Sequence, residues 1–172
     1  MTFRFDKEIL CQLRLEAQHK KINTNMLLNQ IVAAHLEWHT NATKAGFIPV
    51  RKAFLKEIFN SISKDEVDRI AARVAQHVND ETMLIMSKNV SARSGLEVIE
   101  RWIRACSFNY RHEIDEGKDG KQRHTFVIQH DMGMNWSLYL SRLFEESVSE
   151  YLTCSPETSA TENTLFIAIG LK

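Results

Sequence analysis

The sequence predicts an α+β protein in two parts, a strand with two helices at the N-terminus and a larger helix-rich domain around a small antiparallel or mixed sheet. Residues 2–6 alternate between apolar and polar side chains, and two amphipathic helical patterns follow them. Two alternating runs, residues 108–114 and 123–130, are joined by a charged loop with two glycines, which is typical of a β-hairpin. The continuous apolar run over residues 164–171 predicts a strand in the middle of a sheet.

The first predicted strand covers residues 2–6. Period-2 geometry places Phe3 and Phe5 on one face and Thr2, Arg4 and Asp6 on the other. A single strand of this length has nothing to pair with inside its own segment. We therefore expect two copies to pair their strands antiparallel, as a two-stranded ribbon swapped between the subunits of a homodimer.

Two helices follow this strand. Asp6 stands where an N-cap belongs, before an apolar pattern that runs from residue 7 to about residue 20. After a polar break, Thr24 is the predicted N-cap of a second helix that reaches Trp38. Residues 40–46 are small and polar without either period, so the predicted domains are residues 1–42 and 47–172.

The motifs TFRFD, KEILCQLRLEAQHKK and NTNMLLNQIVAAHLEW resemble the ribbon-helix-helix fold of small dimeric transcriptional regulators, over residues 1–42. In that family the paired strands enter the major groove of DNA. The rest of the chain is similar to uncharacterised archaeal proteins that join such a domain to an α+β domain. The resemblance implies a homodimeric, sequence-specific DNA-binding transcriptional regulator whose C-terminal domain senses an effector or supports higher oligomers.

The resemblance also implies which residues would contact double-stranded DNA. The outward ribbon residues would face bases, with an arginine suited to guanine, and the amide end of the second helix would bind a phosphate beside two lysines. These DNA-binding candidates are Thr2, Arg4, Lys20, Lys21, Asn23, Thr24 and Asn25. The alternative is that the same segment is an antitoxin-like protein-interaction and dimerisation module without direct DNA readout.

Charge and composition restrict these expectations. The net charge is 22 − 22 = 0, and residues 1–44 carry 6 − 4 = +2, so any DNA contact must rest on local side chains and depend on salt. No run approaches the ~18 apolar residues of a membrane span, and the N-terminus lacks the order of a signal peptide, so we expect a cytoplasmic protein without a membrane partner. Three distant cysteines predict no disulfide framework.

The second part is predicted to contain several helices. Ser63 and Glu66 form a capping-box pattern at the start of one of them. Residues 82–86 suit either a strand or a helical turn, and we favour the helix. A strand there would make the order ferredoxin-like, the fold that nickel-responsive regulators join to a ribbon-helix-helix unit. The predicted helices cover residues 50–60, 63–78, 94–106 and 135–152.

Two polar groups in the second part are candidate sites. Cys106, His112, His124 and His130 carry atoms that suit a transition metal, but their spacing does not match the nickel regulators, so neither a metal site nor another cofactor is predicted. His130, Asp131 and Asn135 lie where a strand passes into a helix, a place suited to a small-molecule effector or simply to a helix cap. No motif of a hydrolase, a P-loop, a zinc protease or a dinucleotide-binding enzyme is present, so the chain is not predicted to be an enzyme.

Overall fold

The structure is a computed structural model that describes residues 4–77, 82–87, 91–116, 122–152 and 155–171. The chain divides into two compact units, residues 1–41 and residues 42–172. Among the described residues, no helix is both long enough and apolar enough to cross a membrane.

The first unit is a pair of helices joined by a four-residue turn. Helix α1 (Lys7–His19) and helix α2 (Thr24–Ala34) are followed by a π-helical turn (His35–His39) and a short helix α3 (Thr40–Ala42). The predicted cap of α1 is confirmed, since Asp6 Oδ1 accepts a 2.8 Å hydrogen bond from the backbone N–H of Glu8. The N-cap of α2 is Asn23, whose Oδ1 accepts from the N–H of Met26 at 2.8 Å, so the prediction of Thr24 as the cap is wrong by one residue.

The predicted N-terminal ribbon is wrong, because this end of the chain is helical. Arg4, Phe5 and Asp6 lie outside any strand, and α1 begins directly at Lys7; Thr2 lies outside the described residues. Alternating side chains describe which faces a strand would have, but they supply no partner for its backbone N–H and C=O groups. The carboxylate of Asp6 caps a helix that begins only at Lys7, so the cap does not stabilise a strand in the residues before it. The fold class is therefore α+β without a swapped β-ribbon.

The second unit contributes most of the helices. Ser63 Oγ accepts a 3.3 Å hydrogen bond from the N–H of Glu66, which confirms the predicted start of a helix there. The carboxylate of Glu66 pairs with Arg69. Residues 83–86 are helical, as favoured from the sequence. The helices are α4 (Lys52–Ser61), α5 (Lys64–His77), α6 (Met83–Met86), α7 (Ala92–Ala105) and α8 (Met134–Leu152).

A four-stranded antiparallel sheet completes the second unit. Its strands are β1 (Asn109–Glu116), β2 (Gln122–Gln129), β3 (Glu157–Ala160) and β4 (Thr164–Leu171), in the order β1-β2-β4-β3. The hairpin and the central position of the last strand are confirmed. The mixed-sheet and ferredoxin-like alternatives are wrong, because every neighbouring pair is antiparallel and residues 83–86 form no strand. Strand β3 was missed because its polar sequence resembles a spacer.

The core lies on one side of this sheet. Alternate residues of the central strands, including Phe126, Ile128, Leu165 and Ile167, are fully buried there with apolar side chains of α7 and α8. The opposite side of the sheet is more open, and Phe166 is 40% exposed on it. Because the helices cover one side only, polar clusters form where strand ends and helix ends meet.

Candidate functional site

Lys20, Lys21, Asn23, Thr24 and Asn25, five of the residues predicted to contact DNA, lie around the turn between α1 and α2, whereas Arg4 precedes α1 at the opposite end of that helix. Arg4, Lys20, Lys21, Asn23 and Asn25 are exposed, and Thr24 is half-buried. The positive φ of 55° at Lys21 lets the chain leave α1 and reach the cap of α2 within four residues. The turn therefore brings the polar side chains of residues 20–25 to one end of the hairpin, away from Arg4.

Some of their polar atoms are already engaged within the hairpin. Lys20 Nζ lies 2.7 Å from Glu16 Oε1, and Asn23 Oδ1 is used as the helix cap. The amide side of α2 nevertheless remains accessible as a shallow groove lined by Asn23, Asn25, Met26, Asn29, Gln30 and Ala33. Side-chain amides are the groups that pair with adenine in the major groove, so this groove keeps a chemistry that can read DNA.

The same hairpin exposes most of its large apolar side chains. Only Ala17 and Leu27 are buried in α1 and α2. Seven large apolar residues are between 41% and 64% exposed, and they are Phe5, Ile9, Leu15, Met26, Ile31, Val32 and Leu36. So many exposed large apolar side chains on one small unit are typical of an interaction surface.

A histidine cluster lies on the helix-covered side of the hairpin β1–β2. His112 Nε2 is 3.0 Å from His124 Nδ1, and the His112 ring stacks on Phe126 with 4.1 Å between ring centroids. Helix α7 supplies Glu100, whose Oε2 lies 4.0 Å from His112 Nδ1 and whose Oε1 accepts a 2.8 Å hydrogen bond from the Tyr110 hydroxyl. Burial raises the pKa of Tyr110, and Glu100 adds to the effect.

The carboxylate of Glu100 selects the protonation pattern of this cluster. It favours a proton on His112 Nδ1, so His112 Nε2 accepts the bond from His124 Nδ1–H. His124 Nε2 is then a bare lone pair, buried and without a hydrogen-bond partner in the described part of the chain. Desolvation lowers the pKa of His124, and the neighbouring His112 and Arg93 lower it further. The neutral form of His124 is therefore favoured.

The structure does not bring the four candidate metal ligands together. His112 and His124 are adjacent, whereas His130 is hydrogen-bonded elsewhere and Cys106 is exposed at the end of α7. Within the described ranges, no group of three His, Cys, Asp or Glu side chains is arranged to hold a metal ion.

His130 is buried and fully hydrogen-bonded. Its Nδ1 accepts from the N–H of Met132 at 3.0 Å, so the proton lies on Nε2, which donates to Ser137 Oγ at 2.8 Å. Ser137 in turn donates to the carbonyl oxygen of Thr161 at 2.5 Å. Desolvation lowers the pKa of His130 to about 4. This chain of bonds ties the end of β2 to α8 and to the β3–β4 turn.

The other two candidate effector residues surround the same turn. Asp131 is exposed, with a φ of 58°, and its carbonyl oxygen accepts from Lys56 Nζ at 3.3 Å. Asn135 Nδ2 donates to the carbonyl oxygens of Phe59 and Ile62, at 2.8 and 2.9 Å, which fixes the start of α8 against the end of α4. Both ring nitrogens of buried His130 and the amide nitrogen of half-buried Asn135 are thus engaged in holding the fold.

Sequence reasoning missed the partners that define these clusters. Glu100 and Tyr110 are ten residues apart, and only the turn between α7 and β1 brings them together. Ser137 is seven residues from His130 on a different element. No period-based pattern indicates such contacts, because each joins a helix to a strand or a loop.

No protein-family model matches the chain, and no curated protein or solved structure is significantly similar to it. The function must therefore be argued from the residues of this chain.

Proposed function

We propose that the protein is a homodimeric interaction protein that self-associates through the helical hairpin of residues 4–42. The observation that carries this proposal is the set of seven exposed apolar side chains on the hairpin, against only Ala17 and Leu27 buried in α1 and α2. Two helices of this length bury too little surface to be stable alone, so their stability depends on packing against something else.

Two of the seven exposed apolar side chains lie near the internal contact between α1 and α2, whereas others, such as Leu15 and Val32, lie on other faces of the helices. Ile9 precedes buried Ala17 by two helical turns, and Ile31 follows buried Leu27 by one turn, so both extend the stripe through which α1 and α2 meet. Fully burying one such side chain contributes roughly 1.5–3 kcal/mol. A surface that continues the internal contact of the hairpin is well placed to form a larger helical bundle.

A second copy of the chain is the partner that we propose. Residues 4–41 carry five basic side chains, Arg4, Lys7, Arg14, Lys20 and Lys21, and four acidic ones, Asp6, Glu8, Glu16 and Glu37, which gives 5 − 4 = +1. Two nearly neutral surfaces approach without strong repulsion. An isologous contact also lets each copy bury the same stripe, as most homodimers do.

The test is the mass of the full chain in solution after a single charge is introduced into the stripe. Ile31→Glu places one carboxylate from each copy in the interface. We expect the dimer dissociation constant to be at least tenfold higher than that of the wild type. Gln76→Glu is the matched control, because Gln76 is exposed on α5 and the same negative charge is then added outside the hairpin. Light scattering during size exclusion gives the masses. Equal masses for Ile31→Glu and the wild type across the concentration range would contradict the proposal.

A second candidate function is binding of double-stranded DNA by α2. It is supported by the accessible amides of Asn25, Asn29 and Gln30 along α2 and by the two exposed lysines, Lys20 and Lys21, in the turn that precedes this helix. The major groove admits a helix, and asparagine and glutamine recognise adenine there. Dimerisation would present two copies of this surface, as palindromic sites require.

Selection of bound fragments from genomic DNA tests this second function. We expect Lys21→Ala to weaken binding to all sequences and to reduce its salt dependence, whereas Asn25→Ala should relax the sequence preference by about 1–3 kcal/mol at one position. Arg69→Ala on α5 is the control for loss of one positive charge. Absence of any enriched fragment at low salt would rule out DNA binding.

A further inference from the structure

Strand β1 is an open edge of the sheet. It pairs with β2 over its whole length, from Asn109 opposite Gln129 to Glu116 opposite Gln122, and in the described part of the chain no strand lies on its other side. Residues 113–116 are exposed, and Ile114 is 54% exposed on the side of the sheet that carries the helices. An edge of this length presents a row of backbone N–H and C=O groups that can pair with another strand.

Charged side chains commonly protect such an edge, and β1 carries Arg111 and Glu113. Their order, however, makes the strand complementary to itself. Antiparallel pairing about a two-fold axis at His112 places Arg111 opposite Glu113 of the second copy, and Glu113 opposite Arg111 of the second copy. Within one chain these two side chains are 3.4 Å apart and largely exposed, so their own ion pair is weak and free to exchange.

The neighbouring registers are disfavoured by the same charges. An axis at Arg111 places two guanidinium groups opposite each other, and an axis at Glu113 places two carboxylates opposite each other. Like charges directly opposite across two strands are destabilising. The axis at Glu113 also forms two Arg111–Asp115 pairs, but it keeps the carboxylate pair on the axis. Among the axes at residues 111, 112 and 113, only the axis at His112 forms opposite-charge pairs without a like-charge pair.

The other residue pairs in this register are also compatible. Tyr110 stands opposite Ile114 of the second copy, which would cover this exposed isoleucine, and Asn109 stands opposite Asp115. The His112 ring lies against Phe126 of its own chain and is hydrogen-bonded to His124, so it does not project across the axis.

We propose that β1 pairs antiparallel with β1 of a second copy, with His112 at the two-fold axis, so that two four-stranded sheets become one continuous sheet. This contact belongs to the second unit and is independent of the association proposed for the helical hairpin.

Charge exchange on the full chain tests the proposal. Arg111→Glu creates two carboxylate pairs across the axis, and Glu113→Arg creates two guanidinium pairs, so each variant should associate at least tenfold more weakly than the wild type. An equimolar mixture of the two variants restores opposite charges at every position and should associate as the wild type does. The double exchange Arg111→Glu/Glu113→Arg should do so as well. Sedimentation velocity over a range of concentrations gives the association.

The controls separate this contact from the hairpin. The exchange Arg69→Glu/Glu66→Arg and its single components alter an exposed pair on α5 and should leave sedimentation unchanged. The helical hairpin is identical in all β1 variants. Any association through the hairpin therefore affects the sedimentation of every sample equally. A mixture that sediments like the separate single variants would overturn the β1 proposal and leave the hairpin proposal standing.

Hydrogen exchange of the wild type supplies a second readout that needs no variant. Amide protection over residues 109–116 should rise with protein concentration, because pairing closes the open edge of β1. Protection that does not change with concentration would overturn the proposal even if one charge variant failed to fold.

Discussion

The buried imidazole of His130 should make the stability of the second unit depend on pH. Burial lowers its pKa from the usual 6.5 to about 4, so the folded protein keeps this side chain neutral where the unfolded chain protonates it. A lowered histidine pKa makes the folded state more stable above pH 6.5, and this contribution is lost as the pH falls toward 4. Between pH 7 and pH 5 the linkage amounts to about 2 kcal/mol.

The variant His130→Gln isolates this contribution. Glutamine cannot titrate, and its amide can replace the Nε2–H donor to Ser137, although the bond from the Met132 N–H is lost. We expect the variant to be less stable at pH 7, and the difference from the wild type should shrink by about 2 kcal/mol at pH 5. Burial also lowers the pKa of His124, but that contribution is present in both proteins and cancels in the difference.

Urea unfolding followed by tryptophan fluorescence at pH 7, 6 and 5 provides the measurement. His77→Gln is the control for the loss of one imidazole, because His77 is exposed at the end of α5. Parallel stability profiles for the wild type and His130→Gln would refute the reasoning, since they would mean that His130 gains its proton equally in both states.

Two further substitutions test the turn that leads into α8. Gly133 has a φ of 91°, and an added Cβ would lie 3.0 Å from Asn60 Oδ1, so Gly133→Ala should lower the free energy of unfolding by about 1–2 kcal/mol in the same urea assay. The exposed Gly170, which has no atom within 4 Å of an added Cβ, provides the comparison as Gly170→Ala. Asn135→Ala removes both hydrogen bonds to the end of α4 and should lower the free energy of unfolding by about 2 kcal/mol. Asn25→Ala, on an exposed face of α2, should change it little. Equal losses of stability in the two variants would contradict the assigned role of Asn135.

The contrast between predicted and observed elements has a physical cause. The hairpin β1–β2 and the strand β4 were predictable because their partners lie in the same chain and their patterns reflect burial on one or both sides. The predicted strand at residues 2–6 had the right alternation but no partner within the chain, and its described residues, 4–6, form no strand. Strand β3 could not be predicted because it is a short edge strand. Its residues Thr158 and Ser159 pair with β4, but their polar side chains give no apolar alternation in the sequence.

The candidate sites were predictable only in part. The sequence marks the histidines of the second part as candidate ligands. The contacts of His112 with Glu100, and of His130 with Ser137 and the Met132 N–H, become evident only in the folded chain. A single sequence shows which atoms a residue offers, but the protonation of an imidazole depends on neighbours that tertiary structure selects.

The central claim is that the helical hairpin is completed by a second copy. Hydrogen exchange of the amides of α1 and α2 at increasing protein concentration tests it most directly, because only a bimolecular contact couples protection to concentration. We expect protection in α1 and α2 to rise as the dimer forms, while α5 and α8, which pack within one chain, stay constant. Protection of α1 and α2 that is independent of concentration from the monomeric range upward would contradict the claim.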